Sequence, residues 1–265
     1  MTTGSLSGKW ALILGASSGF GAATARELAR AGMNLIGVHL DRRATLPAVE
    51  ELVKSIQAMG VQALFFNVNA ADPLKRQEVL DQVQPKLGTS ILSVFMHSLA
   101  FGTLKPYLAA DPKDQLTKDQ MEMTLDVMAN SLVYWVQDLV ARKLIGKGSR
   151  IFAMTSSGGS RVWPTYGAVS AAKAALESHV RQLAMELAPY GASANCVRAG
   201  VTDTPALRKI PGNEQIMEFA KLRNPHHRLT TPEDVARAIT VLSNSGTEWV
   251  TGNVIGTDGG EDIVG

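Results

Sequence analysis

The chain carries a single cysteine, Cys196, in 265 residues. An internal disulfide is therefore excluded, and a reducing, cytoplasmic setting is the expectation. Long apolar runs are missing too: nothing approaches the roughly 18 consecutive apolar residues of a membrane span, so no membrane partner is expected. Charge of one sign is scarce. A formal net charge of +2, with 19% charged residues, is too weak to call for nucleic acid. The start, Met1–Lys9, is polar and shows no basic stretch leading into an apolar one, so no signal peptide is expected. Metal ligands are not clustered: His226 and His227 are neighbours whose side chains point apart, with no cysteine or carboxylate spaced to join them, so no metal is expected. Repeats, low-complexity tracts and linkers are also lacking. At a length near that at which one core stops growing, residues 1–265 read as a single domain.

What is present is alternation. Short apolar runs at Trp10–Leu14, Leu35–Leu40, Ala63–Val68, Ile91–His97, Arg150–Thr155, Ser193–Arg198 and Val254–Gly256 read as strands buried on both faces. Between them, Gly21–Ala31, Leu46–Met59, Pro73–Val83, Met121–Leu144, Ala168–Ala188, Glu214–Lys221 and Pro232–Asn244 read as helices. Thr231-Pro232-Glu233-Asp234 has the composition of a helix start. The pattern predicts an α/β fold of Rossmann type, a doubly wound parallel sheet in a three-layer αβα arrangement. In such a sheet ligands bind beyond the carboxyl ends of the strands, so the irregular stretches 102–117 and 202–213 are expected walls of a site.

The first strand runs into Gly15-Ala16-Ser17-Ser18-Gly19-Phe20-Gly21, ahead of an alanine-rich helix. Glycine permits a sharp turn and a close approach of the backbone to a pyrophosphate, whose charge then meets the free N–H groups of the helix start. A plain strand-to-helix turn has the same glycines, but this strand–loop–helix context favours a dinucleotide.

The G-x-x-x-G-x-G spacing resembles the short-chain dehydrogenase/reductase family, and further matches run along nearly the whole chain. Asn67-Val68 stands where the family usually has Asp-Val, and His97-Ser98-Leu99-Ala100 where it usually has Asn-Asn-Ala-Gly. Ser156-Ser157, Tyr166, Lys173, Ala199-Gly200-Val201 through Thr204, and Asp258-Gly259-Gly260 follow in order. The resemblance implies a hydride transfer with a nicotinamide cofactor, held by Gly15, Ser17, Ser18, Gly19, Phe20, Gly21, Asn67, Val68, Ser98, Leu99, Ala100, Lys173, Thr202 and Thr204. The second strand selects between the two nicotinamides. The family's ribose-binding acid falls at His39, with Asp41, Arg42 and Arg43 beyond. Two arginines suit a 2′-phosphate and so NADPH, whereas Asp41 suits a ribose and so NADH. NADPH is the expected cofactor, although Ser18 stands where phosphate-reading relatives often carry a basic residue.

Most of that family uses Tyr-x-x-x-Lys, and this pattern is absent. Val169 lies four residues before Lys173, and none of the four tyrosines has a lysine four residues later. Ser156 keeps its ordinary register, thirteen residues before Val169, while Tyr166 lies seven before Lys173. A shift of three residues moves a side chain by about 4.5 Å along a helix axis. That suits an enoyl thioester, whose carbonyl oxygen lies two bonds further from the carbon that takes the hydride than a ketone's oxygen does. This Tyr-x6-Lys spacing resembles that of the enoyl-acyl-carrier-protein reductases. Phe95-Met96-His97-Ser98-Leu99-Ala100-Phe101 resembles their His-Ser-Ile-Gly-Phe segment, and Ser156 through Arg161 with Lys173 through Glu177 resembles the NADPH-using, triclosan-tolerant Bacillus-type branch.

The resemblance implies that Tyr166 supports the thioester oxygen, that Lys173 binds the nicotinamide ribose, and that Ser156 orients substrate. The family's central-helix asparagine falls near Met128, with Asn130 close by, an absence that enoyl reductases share. Their frequent second tyrosine, ten residues before the catalytic one, is Ser156 here. Pro205–Arg223 is expected to be a lid over the acyl chain or simply a surface helix. Arg208, Lys209, Lys221, Arg223 and Arg228 either steer an acidic acyl carrier protein or are scattered surface charge. An enoyl thioester on acyl carrier protein or coenzyme A is the expected substrate, and a homotetramer the expected assembly by analogy. Two other readings stay open: a carbonyl or 3-oxoacyl reductase with a displaced tyrosine, and a non-catalytic NADP(H)-binding protein.

Overall fold

The computed structural model describes residues 6–264. The first five residues of Met1–Lys9, and the reading made of them, lie outside the described residues. Seven strands form one parallel sheet in the order β3-β2-β1-β4-β5-β6-β7. They are β1 (Trp10–Leu14), β2 (Asn34–His39), β3 (Ala63–Asn67), β4 (Leu92–His97), β5 (Arg150–Thr155), β6 (Ser193–Ala199) and β7 (Val254–Thr257). The chain winds outward from β1 to β3, then crosses to β4 and winds the other way. The crevice between β1 and β4 is therefore the switch point of the sheet.

Alternation along each strand builds two cores. Leu12 and Leu14 join Ile36, Phe95 and Ile151 on one face, while Ala11 and Ile13 join Leu35, Met96 and Phe152 on the other. The first face is covered by α3 (Pro73–Leu87), α5 (Ser131–Ala141) and α6 (Gly167–Glu186), which supply Val79, Trp135 and Leu176. The second is covered by α1 (Gly19–Arg30), α2 (Leu46–Gln57) and α8 (Pro232–Leu242), which supply Leu28, Leu52 and Ile239. Trp135 is fully buried and donates its indole N–H to the Ala70 carbonyl at 2.8 Å. One Rossmann-type domain with helices on both faces results.

Two helical stretches depart from the sequence pattern by more than two residues. The helical run expected over 121–144 spans 118–141 without a break but is not regular throughout. α4 (Lys118–Leu125) starts early on a capping box between Thr117 and Gln120, and a π-turn over Asp126–Asn130 then separates it from α5. The Ser131 hydroxyl donates to the Val127 carbonyl at 2.8 Å, satisfying backbone at that wide turn. The run ends where Lys143 takes φ 58°. α3 continues past Val83 to Leu87, with Pro85 in its last turn. There the missing N–H removes only one helix bond. α7 (Asn213–Arg223) and a short 3-10 turn, Leu207–Lys209, occupy the stretch Pro205–Arg223, expected as a lid or a surface helix.

Candidate active site

The strand register brings Leu14 opposite His97, and Thr155 opposite Arg198. β1, β4, β5 and β6 therefore end together, and the loops beyond them surround a cavity of about 450 Å³. Its wall includes Phe20, Ser98, Leu99 and Ala100 from the loops after β1 and β4, with Ser156, Tyr166 and Lys173 from the β5 side. Thr202 and Thr204 complete it after β6. Ile210, Ile216 and Phe219, from the 3-10 turn onward through α7, face the same space.

The glycine loop leads out of β1 into this crevice. A Cβ on Gly15 would lie 2.4 Å from the Ser98 carbonyl oxygen, and one on Gly21 would lie 2.0 Å from the Gly15 carbonyl oxygen. No side chain can stand at either point without moving backbone. Ser18 caps α1 in extended geometry with no side-chain hydrogen bond. The first N–H groups of that helix thus remain available to an anion. Gly19 packs against Thr204, whose methyl would lie 3.5 Å from an added Cβ. A cradle for a pyrophosphate fits this loop.

Farther along the sheet edge, His39 and Asn67 are paired in register. The Asn67 amide donates to the Asp41 carbonyl at 3.0 Å and accepts from the Asp41 N–H at 2.9 Å. His39 is buried, with Nδ1 3.0 Å from the Asp41 carboxylate and its ring tilted against Phe65. Burial pushes the Asp41 carboxyl up, but hydrogen bonds from Ser17, Thr45 and His39 outweigh it and hold the group below its usual range. Asp41 is thus committed to protein partners. Arg42 and Arg43 stand exposed beside it, with no ion-pair partner among the described residues. Val68 follows at the end of β3, partly buried against the core.

Tyr166 is the residue before α6, not part of its first turn. Thr165 ahead of it takes φ 64°, an uncommon conformation for a β-branched residue that costs about 1–3 kcal/mol. Its buried hydroxyl makes no hydrogen bond. The strain turns the chain so that the Tyr166 ring lies over Gly158, where an added Cβ would come within 2.5 Å of it. Burial pushes the Tyr166 hydroxyl up, partly offset by its hydrogen bond with Ser156, so the phenol keeps its proton at neutral pH. Ser156 also accepts from the Gly158 N–H at 3.1 Å.

Lys173 is buried and donates to the Met154 carbonyl at 2.7 Å. Burial pulls its ammonium down to about 8, with Cys196 and Glu177 opposing the shift. Val169, at the position four residues earlier, is apolar and lines the cavity. His97 lies at the end of β4, fully buried, with Nε2 2.9 Å from the Ser131 hydroxyl. Burial, and then Lys173, drive its imidazolium down to about 3, so the ring is neutral. Met128, on the π-turn, also lines the cavity.

Trp163 and Glu261 are wall residues that the sequence pattern does not single out, whereas Arg161 and Arg223 fall in stretches that it does. Trp163 donates its indole N–H to the Pro211 carbonyl at 3.1 Å, joining the segment before Tyr166 to the segment before α7. Arg161, Arg223 and Glu261 also reach the cavity. Among the described residues no helix is long and apolar enough to cross a membrane.

Residues 15–261 match the family model described as "Enoyl-(Acyl carrier protein) reductase". The chain is 30% identical to the 1-cyclohexenylcarbonyl-CoA reductase of Streptomyces collinus over 255 residues, covering 96% of this chain and 86% of that protein. Among solved structures it is similar to the enoyl-[acyl-carrier-protein] reductase (NADH) of Aquifex aeolicus, with TM-score 0.85, 25% identity and 99% of each chain covered. It is also similar to a short chain dehydrogenase of Burkholderia cenocepacia in complex with NADP, with TM-score 0.80, 27% identity and coverage of 97% of this chain and 99% of that one. Sheet order, glycine loop and these likenesses agree: the chain belongs to the short-chain dehydrogenase/reductase family of oxidoreductases.

Proposed function

We propose that the protein reduces the trans-2 double bond of an enoyl thioester, carried on acyl carrier protein or coenzyme A, with NADPH. The observation that carries this reading is Tyr166, which meets the cavity seven residues before Lys173 while the position four before Lys173 is a valine. Bound nicotinamide supplies a hydride to the β-carbon of such a substrate. Charge then gathers on the thioester oxygen, and a protonated Tyr166 hydroxyl donates to it. Lys173, still cationic at neutral pH, binds the nicotinamide ribose and keeps the surroundings of that oxygen positive. Gly15, Ser18, Gly19 and Gly21 cradle the pyrophosphate, and Thr202 and Thr204 meet the nicotinamide end. Arg42 and Arg43 take the 2′-phosphate, a role favoured by the commitment of Asp41 to Ser17, Thr45 and His39. The NADP complex of the Burkholderia relative and the acyl-CoA named for the Streptomyces relative support the same assignment.

The segment 205–223 acts as the lid over the acyl chain, with Ile210, Ile216 and Phe219 toward the cavity. Likeness to the Bacillus-type branch, a cytoplasmic location and a homotetramer belong to the same reading. Exposed Tyr134, Met185, Tyr190 and Trp249 are apolar surface that an assembly would cover. A second reading rests on the hydrogen bond between Ser156 and Tyr166: two hydroxyls that meet are suited to one ketone oxygen.

The test is NADPH oxidation by the purified protein with a trans-2-enoyl thioester and with the matching 3-oxoacyl thioester. Turnover of the enoyl substrate alone is expected. Turnover of the ketone alone would move the protein to carbonyl reduction, and silence on both with cofactor bound would make it a binding protein.

A further inference from the structure

The turn Glu261–Ile263 follows β7 and brings Glu261 to the wall of the cavity. Glu261 is only 7% exposed. Both of its carboxylate oxygens accept from the Val201 N–H, at 3.2 and 3.1 Å. Val201 stands between Gly200 and Thr202, at the head of the loop assigned above to the nicotinamide end. Gly200 makes room for this contact, since a Cβ there would lie 2.3 Å from the Thr230 hydroxyl and 2.9 Å from a Glu261 oxygen. The same turn gathers other walls of the cavity. Arg223, the last residue of α7, donates to the Glu261 carbonyl at 2.8 Å. Arg161 donates to the Asp262 carbonyl at 2.9 Å, and the Asp262 carboxylate pairs with Arg161 at 2.9 Å and with Arg198 at 3.0 Å.

We propose that Glu261 is a positioning residue for the cofactor: its carboxylate sets the Gly200–Thr204 loop through Val201, and its backbone carbonyl ties the same residue to α7 through Arg223. The assignment rests on the cofactor reading above. A backbone N–H held by a carboxylate makes a charge-assisted bond, stronger than one to a neutral oxygen. Protonating Glu261 therefore loosens the loop without removing the side chain. Burial pushes this carboxyl above the usual glutamate range, with Asp258 and Asp262 adding to the rise while Val201 and Arg223 oppose it. The charged groups around it are Asp258 and Asp262 on its own segment and Arg223 from α7. Arg161 and Arg198 act on it through Asp262. His226 packs on neighbouring Gly259.

The test is NADPH affinity, followed by fluorescence titration from acid to neutral pH, for the intact wild type, Glu261→Gln and His226→Gln. Wild type is expected to lose affinity as pH falls through the Glu261 pKa, and His226→Gln to keep that acid limb. Glu261→Gln, which keeps shape and one acceptor, is expected to bind about ten-fold more weakly at neutral pH and to keep only the shallower acid limb that the cofactor's own phosphate titration leaves. A Gln variant with wild-type affinity and an unchanged acid limb would overturn the inference, as would loss of the limb in His226→Gln. A wild type that binds no NADPH at any pH would instead overturn the cofactor reading on which it rests.

Discussion

Replacing Tyr166 by phenylalanine removes one oxygen and leaves the ring where it is. The ring is held from below by Gly158, and it packs on the core beneath the sheet, contacts that phenylalanine retains. What is lost in the resting protein is one hydrogen bond with Ser156, worth about 1 kcal/mol. Ser156 keeps its bond from the Gly158 N–H, so no buried donor is orphaned. In a domain of this size that loss lowers Tm by no more than about 2–4 °C. Turnover responds on another scale. If the phenol donates to the oxygen that becomes an enolate, its loss costs about 10²–10⁴-fold in kcat. Affinity for NADPH, assigned in the proposed reading to the glycine loop, the arginines and Lys173, is expected to change little. The assay is steady-state NADPH oxidation with an enoyl thioester, beside a cofactor titration and a melting curve on the same preparation. A variant that folds, binds cofactor and turns over within about three-fold of wild type would refute the assignment of the proton donor.

Lys173 makes a pH prediction. Its ammonium titrates at about 8 in the folded chain, against an ordinary value of 10.5. It is charged below that point and neutral above it, so kcat/KM is expected to fall as pH rises through about 8. Between about 8 and 10.5 the unfolded chain keeps a proton that the folded chain has released, so this group adds stability with rising pH. Activity and stability thus move in opposite directions across that window, and a profile flat through it would refute the role of the charge. Replacing either Arg42 or Arg43 by alanine is expected to raise KM for NADPH by about 10–100-fold, since a charged bond to a phosphate is worth about 1.5–3 kcal/mol. KM for NADH should hardly move, and an equal loss for both cofactors would refute the phosphate assignment.

The features legible from sequence are local ones. A strand followed at once by Gly15 and Gly21 declares a close backbone turn, because the steric demand acts within one loop. Apolar runs of five to seven residues alternating with amphipathic stretches declare a parallel sheet, because strands buried on both faces can be covered only by the helices between them. The seven-residue interval between Tyr166 and Lys173 is likewise a property of one short segment. The π-turn was hidden, since Asp126–Asn130 has ordinary helical composition and the Ser131 hydroxyl there meets His97 from 34 residues away. Thr165 carries no mark of its positive φ. His39 was legible only as the end of a strand, and its burial under Phe65 and beside Asp41 follows from pairing with β3. Glu261 and Asp262 carry no mark in the sequence, yet their bonds to Arg223, Val201 and Arg161 span 38 to 101 residues. Short-range sterics and periodicity determined the fold and the cofactor loop. Only the closing of the sheet, which brings the ends of β5, β6 and β7 to one rim, decided which distant side chains hold the site together.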